Sequence, residues 1–173
     1  MFEAKVWKFG DNINTDLMMP GAEVLTRPGL SDEEAARYCM SANRPDWASQ
    51  VQKGDIVVAG HNWGCGSSRP AAHLFKALGI SVIVADSMSR LFFRNAVNIG
   101  MPVLICEGVA EAFDEGDLAR VNLETGEVTN LTKGVALKGE ALPTDSPPAQ
   151  ILKAGGLYSF MQQEPAESKR ERG

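Results

Sequence analysis

With 173 residues, 44% of them apolar and 23% charged, the chain has the length and composition of one globular domain with a full core. A net charge of −5 excludes the cationic footprint of a nucleic-acid binder, and no apolar run approaches the roughly 20 residues of a membrane span or forms a signal-peptide core at the N-terminus. Cys39, Cys65 and Cys106 are an odd set at wide spacing with no C-x-x-C, so reduced cytoplasmic thiols are expected rather than a disulfide frame or a zinc site.

Ala4 to Phe9 alternates and runs into Gly10-Asp11-Asn12, which reads as a strand and a turn. Asn14-Thr15-Asp16 is a polar cluster before Leu17, and all three residue types favour turns and caps through local hydrogen bonds. A loop from Pro20 to Ser31 follows. Ser31-Asp32-Glu33-Glu34 has the form of a capping box and opens a helix into AARYCM. Asn43 to Gln52 reads as a loop or a short helix. Ile56 to Ala59 is a short apolar run, as expected of a buried strand. Gly60, Gly64 and Gly66 then interrupt the chain. Ser67 and Ser68 are expected helix caps, with Pro70 in the first turn of a helix over Ala71–Leu78 that stops at Gly79.

Ser81–Ala85 reads as a second buried strand, Ser89–Asn98 as a helix and Met101–Cys106 as a third strand. Strand, helix, strand, helix, strand implies an α/β fold of parallel βαβ units with right-handed crossovers. Residues 119–132 alternate about Thr125-Gly126, the pattern of a hairpin. Pro143 to Pro148 reads as a connection, and Ala149–Gln162 as a closing helix broken at Gly155-Gly156. Residues 164–173 read as a charged, disordered tail, which leaves residues 1–163 as the domain.

The stretch from Asp55 to Arg69 concentrates the chemistry. A strand, a glycine-rich turn and a helix start aim main-chain N–H groups at one point, where Ser67, Ser68 and Arg69 add two hydroxyls and a guanidinium. Such a point suits a carboxylate or a phosphate; the same pattern also fits a plain tight turn. The spacing is neither G-x-G-x-x-G nor a P-loop nor the G-x-S-x-G elbow. Asp16 alone also fits the lesser reading of a turn aspartate. His61 and His73 read as loop or surface residues.

Three motifs in order, GDNINTDLMMPG, GDIVVAGHNWGCGSSR and SRLFFRNAVNIGMPVL, resemble the small subunit of 3-isopropylmalate dehydratase, the detached swivelling domain of the aconitase superfamily. AQILKAGGLYSFMQ resembles the closing helix of that family. The resemblance implies a swivelling β/β/α domain, with a small mixed, largely parallel sheet flanked by helices. It implies a hydro-lyase that moves a hydroxyl between adjacent carbons of a 2-hydroxy di- or tricarboxylate. It places a [4Fe-4S] cluster on a separate large subunit and no metal on this chain, whose three dispersed cysteines do not suit a cluster. By position, Ser67 is the expected general base, Ser68 a hydrogen-bond donor to substrate or base, Arg69 the carboxylate ligand and Asp16 an orienting residue. Pro70 and Ala71 stand where relatives carry polar residues. Leu25 stands where relatives carry a substrate-selecting arginine, with Arg27 two residues on as its candidate replacement.

Overall fold

The computed structural model describes all residues except 22, 23, 25, 26, 28, 67, 68 and 164–173. Ser67, Ser68, Leu25 and the tail therefore lie outside the described residues. The strands are β1 (Phe2–Lys8), β2 (Ile56–Ala59), β3 (Val82–Ala85), β4 (Val103–Ile105), β5 (Leu118–Asn122), β6 (Glu127–Asn130) and β7 (Val135–Lys138). The helices are α1 (Thr15–Met18), α2 (Asp32–Ala36), α3 (Trp47–Gln50), α4 (Ala72–Leu78), α5 (Arg90–Asn98), α6 (Val109–Ala112), α7 (Pro147–Lys153) and α8 (Leu157–Gln163).

The strands form one mixed sheet in the order β4-β3-β2-β1-β5-β6-β7. β1 joins its two halves. Val6 to Lys8 pair in parallel with Ile56 to Val58 of β2, while Phe2 to Lys5 pair antiparallel with Leu118 to Val121 of β5. The β2–β3 and β3–β4 pairs continue the parallel half, and β5–β6 and β6–β7 the antiparallel half. Beyond β7 the chain returns to the far edge, where the Glu140 N–H donates to the Ile105 carbonyl at 2.8 Å. The sheet is therefore curled, with its two edge strands tied together.

β2 and β3 are apolar throughout because both faces of the parallel half are covered. Trp7, Phe9, Val57, Ala59, Ile83 and Ala85 face a helical layer built on Trp47, Phe75 and Phe92. Val6, Ile56, Val58, Val82 and Val84 face a second core closed by Val109, Phe113, Ala119, Val121 and Val128. Within the first core, Phe9, Trp47, Phe75, Trp63 and Phe92 make a run of edge-to-face and tilted ring contacts at 5.2–6.2 Å. Trp63 belongs to the glycine-rich loop and is fully buried, so it pins that loop into the core.

The short helices α1 and α6 were not expected, and three further features differ from the expected elements. α4 begins at Ala72, its cap residue is Ala71, and no side chain caps it. Pro70 thus precedes the helix rather than opening it, and the Ala71 N–H turns back to the Arg69 carbonyl at 2.8 Å. The physical reason lies in Pro70 itself, which disfavours the α region for the residue before it. The closing helix begins two residues early, at Pro147, where proline's missing N–H costs nothing; the Gly155-Gly156 break separates it from α8. β7 was not expected as a strand.

Candidate active site

The loops that follow β1, β2 and β3 meet at the C-terminal ends of the parallel strands, where open α/β sheets place their ligands. Gly10-Asp11-Asn12 and Gly60-His61-Asn62 lace together there. The His61 N–H donates to Asp11 Oδ1 at 2.7 Å, the Asn12 N–H to the His61 carbonyl at 2.8 Å, and Asn62 Nδ2 to Asn12 Oδ1 at 3.0 Å. Asn12 and Asn62 both adopt left-handed backbone, with φ of 56° and 60°, which asparagine tolerates. A Cβ at Gly60 would overlap the Asp11 carboxylate, so glycine is required for this close approach. Sequence reasoning overlooked Asp11. The signal was the recurrence of Gly-x-Asn after two successive strands.

The next residues are held as tightly. The Gly64 N–H donates to the Ile13 carbonyl at 2.8 Å, and the Thr15 N–H to the Cys65 carbonyl at 3.0 Å. Gly64 has φ +73°, and a side chain on it would enter Phe92. Gly64→Ala is therefore expected to lower stability by about 2–4 kcal/mol, from left-handed strain plus overpacking, read as a fall in the urea midpoint.

On the other side, Asn14 caps α1 by accepting the Leu17 N–H at 2.9 Å, which sets Asp16 in the first turn. Arg69 Nε then pairs with Asp16 Oδ1 at 3.1 Å, and Arg69 Nη1 donates to the Met19 carbonyl at 2.9 Å. Gly21 lies against the guanidinium: a Cβ there would stand 3.4 Å from Nη2. The two side chains are 27% and 57% exposed, so the ion pair contributes no more than about 1 kcal/mol to stability. Its effect is orientation. Two of the five guanidinium N–H groups are engaged, and three stay free among the described residues to receive a carboxylate in a planar, two-bond geometry.

The structure thus brings together Asp16 and Arg69, 53 residues apart. Arg27 is engaged elsewhere: its Nη1 donates to the Tyr38 hydroxyl at 2.8 Å, and its guanidinium lies 5.4 Å from the centre of that ring. His61 is exposed, and His73 pairs with Asp32 at 3.7 Å on the α2–α4 surface. Cys39 is buried, which pushes its thiol well up; burial and the nearby Asp86 push Cys106 to about 11. All three cysteines are free, with Cys65 half-buried in the site loop. Among the described residues no group of three or more His, Cys, Asp or Glu side chains converges to hold a metal ion.

The Aconitase C-terminal domain family matches residues 15–107, which contain both the α1 segment and the glycine-rich loop. The isopropylmalate/citramalate isomerase small subunit of Methanocaldococcus jannaschii is 46% identical over 171 residues, covering 98% of each chain. This chain belongs to the family of aconitase-type hydro-lyase small subunits. A second member, the 3-isopropylmalate dehydratase small subunit of Heliobacterium modesticaldum, is 41% identical over 169 residues, 97% of this chain and 99% of that one. The crystal structure of 3-isopropylmalate dehydratase from M. jannaschii superposes with a TM-score of 0.88 at 31% identity, over 98% of both chains. This chain thus shares its fold, as well as its sequence, with that structure.

Proposed function

We propose that this chain is the small subunit of a two-chain hydro-lyase of the 3-isopropylmalate dehydratase type, acting in leucine biosynthesis in the cytoplasm. In this reading it is active only with an iron–sulfur large subunit, as a heterodimer or heterotetramer. The reaction isomerises a 2-hydroxy di- or tricarboxylate by removing water across two adjacent carbons and adding it back in the other sense. The observation that carries the reading is the Arg69 guanidinium, held by Asp16 and the Met19 carbonyl at the strand ends, with donors to spare and its site open to solvent. A carboxylate seated there neutralises a cation already aligned for two bonds.

Ser67 is proposed as the base that takes a proton from the carbon beside that carboxylate, and Ser68 as a donor to substrate or base. Asp16 orients Arg69. Leu25 is proposed to suit an alkyl-bearing substrate, and Arg27, beside Tyr38, to help select it. A [4Fe-4S] cluster on the partner supplies a Lewis acid for the departing hydroxyl; the described residues of this chain do not fit such a cluster. The isopropylmalate and citramalate named for the M. jannaschii relative set the substrate range to test first, with homoaconitase-type and methylmalate-type substrates after them.

The test is co-expression of this chain with a large subunit of the same source, followed by anaerobic assay of isomerisation across those hydroxy acids. A brown, iron-containing complex that turns over one of them, with neither chain active alone, is the expected result. A chain that binds a dicarboxylate but purifies alone and gains no activity from any large subunit would instead be a non-catalytic binding module.

A further inference from the structure

α5 begins at a serine that does two things at once. Ser89 is its cap residue, and Ser89 Oγ accepts the Phe92 N–H at 3.1 Å. The same hydroxyl donates to the Gly64 carbonyl at 2.7 Å. The Ser89 N–H also donates to the Trp63 carbonyl at 2.9 Å, beside the bridge between Trp63 and Met88. Gly64 is thereby held from two sides: its N–H donates to the Ile13 carbonyl of the loop after β1, and its carbonyl accepts from the Ser89 hydroxyl of the loop after β3. Arg69 is anchored separately, by Asp16 and Met19 on the α1 side. In sequence, Cys65, Gly66 and the two serines separate these two anchors.

We propose that Ser89 is a positioning residue for proton transfer: its hydroxyl, by donating to the Gly64 carbonyl, fixes the upstream end of the segment that carries the base at position 67. The inference rests on the proposed function. It separates from a purely structural role because the two hydrogen bonds of Ser89 need different chemistry. Capping needs an acceptor; holding Gly64 needs a donor. An aspartate supplies the first and not the second, and its charge suits a helix N-terminus. Threonine supplies both.

In the assembled complex, Ser89→Asp is expected to keep the melting temperature within a few degrees and to lower kcat by about 100-fold, the cost of a loosely placed reacting group. KM should change little, because the Arg69 anchor is untouched. Ser89→Thr is expected to retain wild-type kcat. Ser89→Ala should lose the donor and the cap together, with the same fall in kcat and a melting temperature lower by about 3 °C. The deciding readout is the isotope effect on kcat with substrate deuterated at the carbon that loses its proton. It should rise in Ser89→Asp and Ser89→Ala, because proton abstraction becomes slower relative to the other steps. A merely structural role would reduce the amount of active complex and leave kcat per iron-loaded complex and the isotope effect at wild-type values; that result overturns the proposal. If Ser89→Asp does not assemble, Ser89→Ala decides alone: kcat per iron-loaded complex and isotope effect equal to wild type reject the role. An inactive wild-type pair would instead reject the proposed function.

Discussion

Ser67→Ala, in the complex with the large subunit, is expected to lower kcat by about 10³-fold, within the range that a positioned general base contributes. A serine hydroxyl is a weak base in water, so it works only where its alkoxide is stabilised in place. The surroundings that can do this are defined on both sides. Upstream, Gly64 and Cys65 are tied to Ile13, Thr15 and Ser89; downstream, Arg69 is tied to Asp16 and Met19. Alanine removes the oxygen and little else, so substrate affinity and iron content should hold. Two measurements check this: steady-state turnover, and exchange of the substrate's carbon-bound hydrogen with solvent deuterium. Both should disappear together. Retained exchange would assign the proton to another residue and remove Ser67 from the reaction.

Parts of this architecture were legible because local chemistry agrees with the fold. Ile56 to Ala59 and Val82 to Ala85 read as buried strands because parallel strands covered on both faces must be apolar throughout. Ser31 and Glu34 form the expected capping box, with the Ser31 N–H donating to Glu34 Oε2 at 2.9 Å and the Glu34 N–H to Ser31 Oγ at 3.2 Å. The hairpin about Gly126 was equally local: alternation fixes the register and glycine the turn. Other parts were not legible, for equally physical reasons. β7 is a four-residue edge strand, exposed at three positions and with only Leu137 packed on the second core, too short an alternation to stand out as a strand. The double role of β1, parallel on one side and antiparallel on the other, depends on partners about 50 and 115 residues away. In the candidate site, Arg69 stood out from the glycine-rich turn and Asp16 entered through resemblance; only the fold shows that they touch. Asp11 and Ser89 were hidden because a turn aspartate and a helix-capping serine are ordinary in local terms. Their second bonds, to the His61 N–H and the Gly64 carbonyl, are tertiary.

The late start of α4 places more weight on Arg69. A helix beginning at the two serines would have offered them its positive end, but the helix begins at Ala72, and the Pro70 turn intervenes. The guanidinium is left as the formal positive charge of this loop. Arg69→Lys is therefore expected to reduce kcat/KM by about 100-fold, about 2.7 kcal/mol of transition-state binding. The charge survives this change, but the geometry does not. Arginine uses Nε for Asp16 and Nη1 for Met19, and still presents coplanar N–H groups to a carboxylate. One ammonium must choose among the three partners. The loss should fall on KM as well as kcat, because a carboxylate is bound in the ground state and gains further from the cation as negative charge builds on the substrate. Stability should change by less than about 1 kcal/mol, since the ion pair is largely exposed. Wild-type kinetics in a well-folded Arg69→Lys complex would show that the substrate carboxylate is held by some other group, and the site would have to be rebuilt around it.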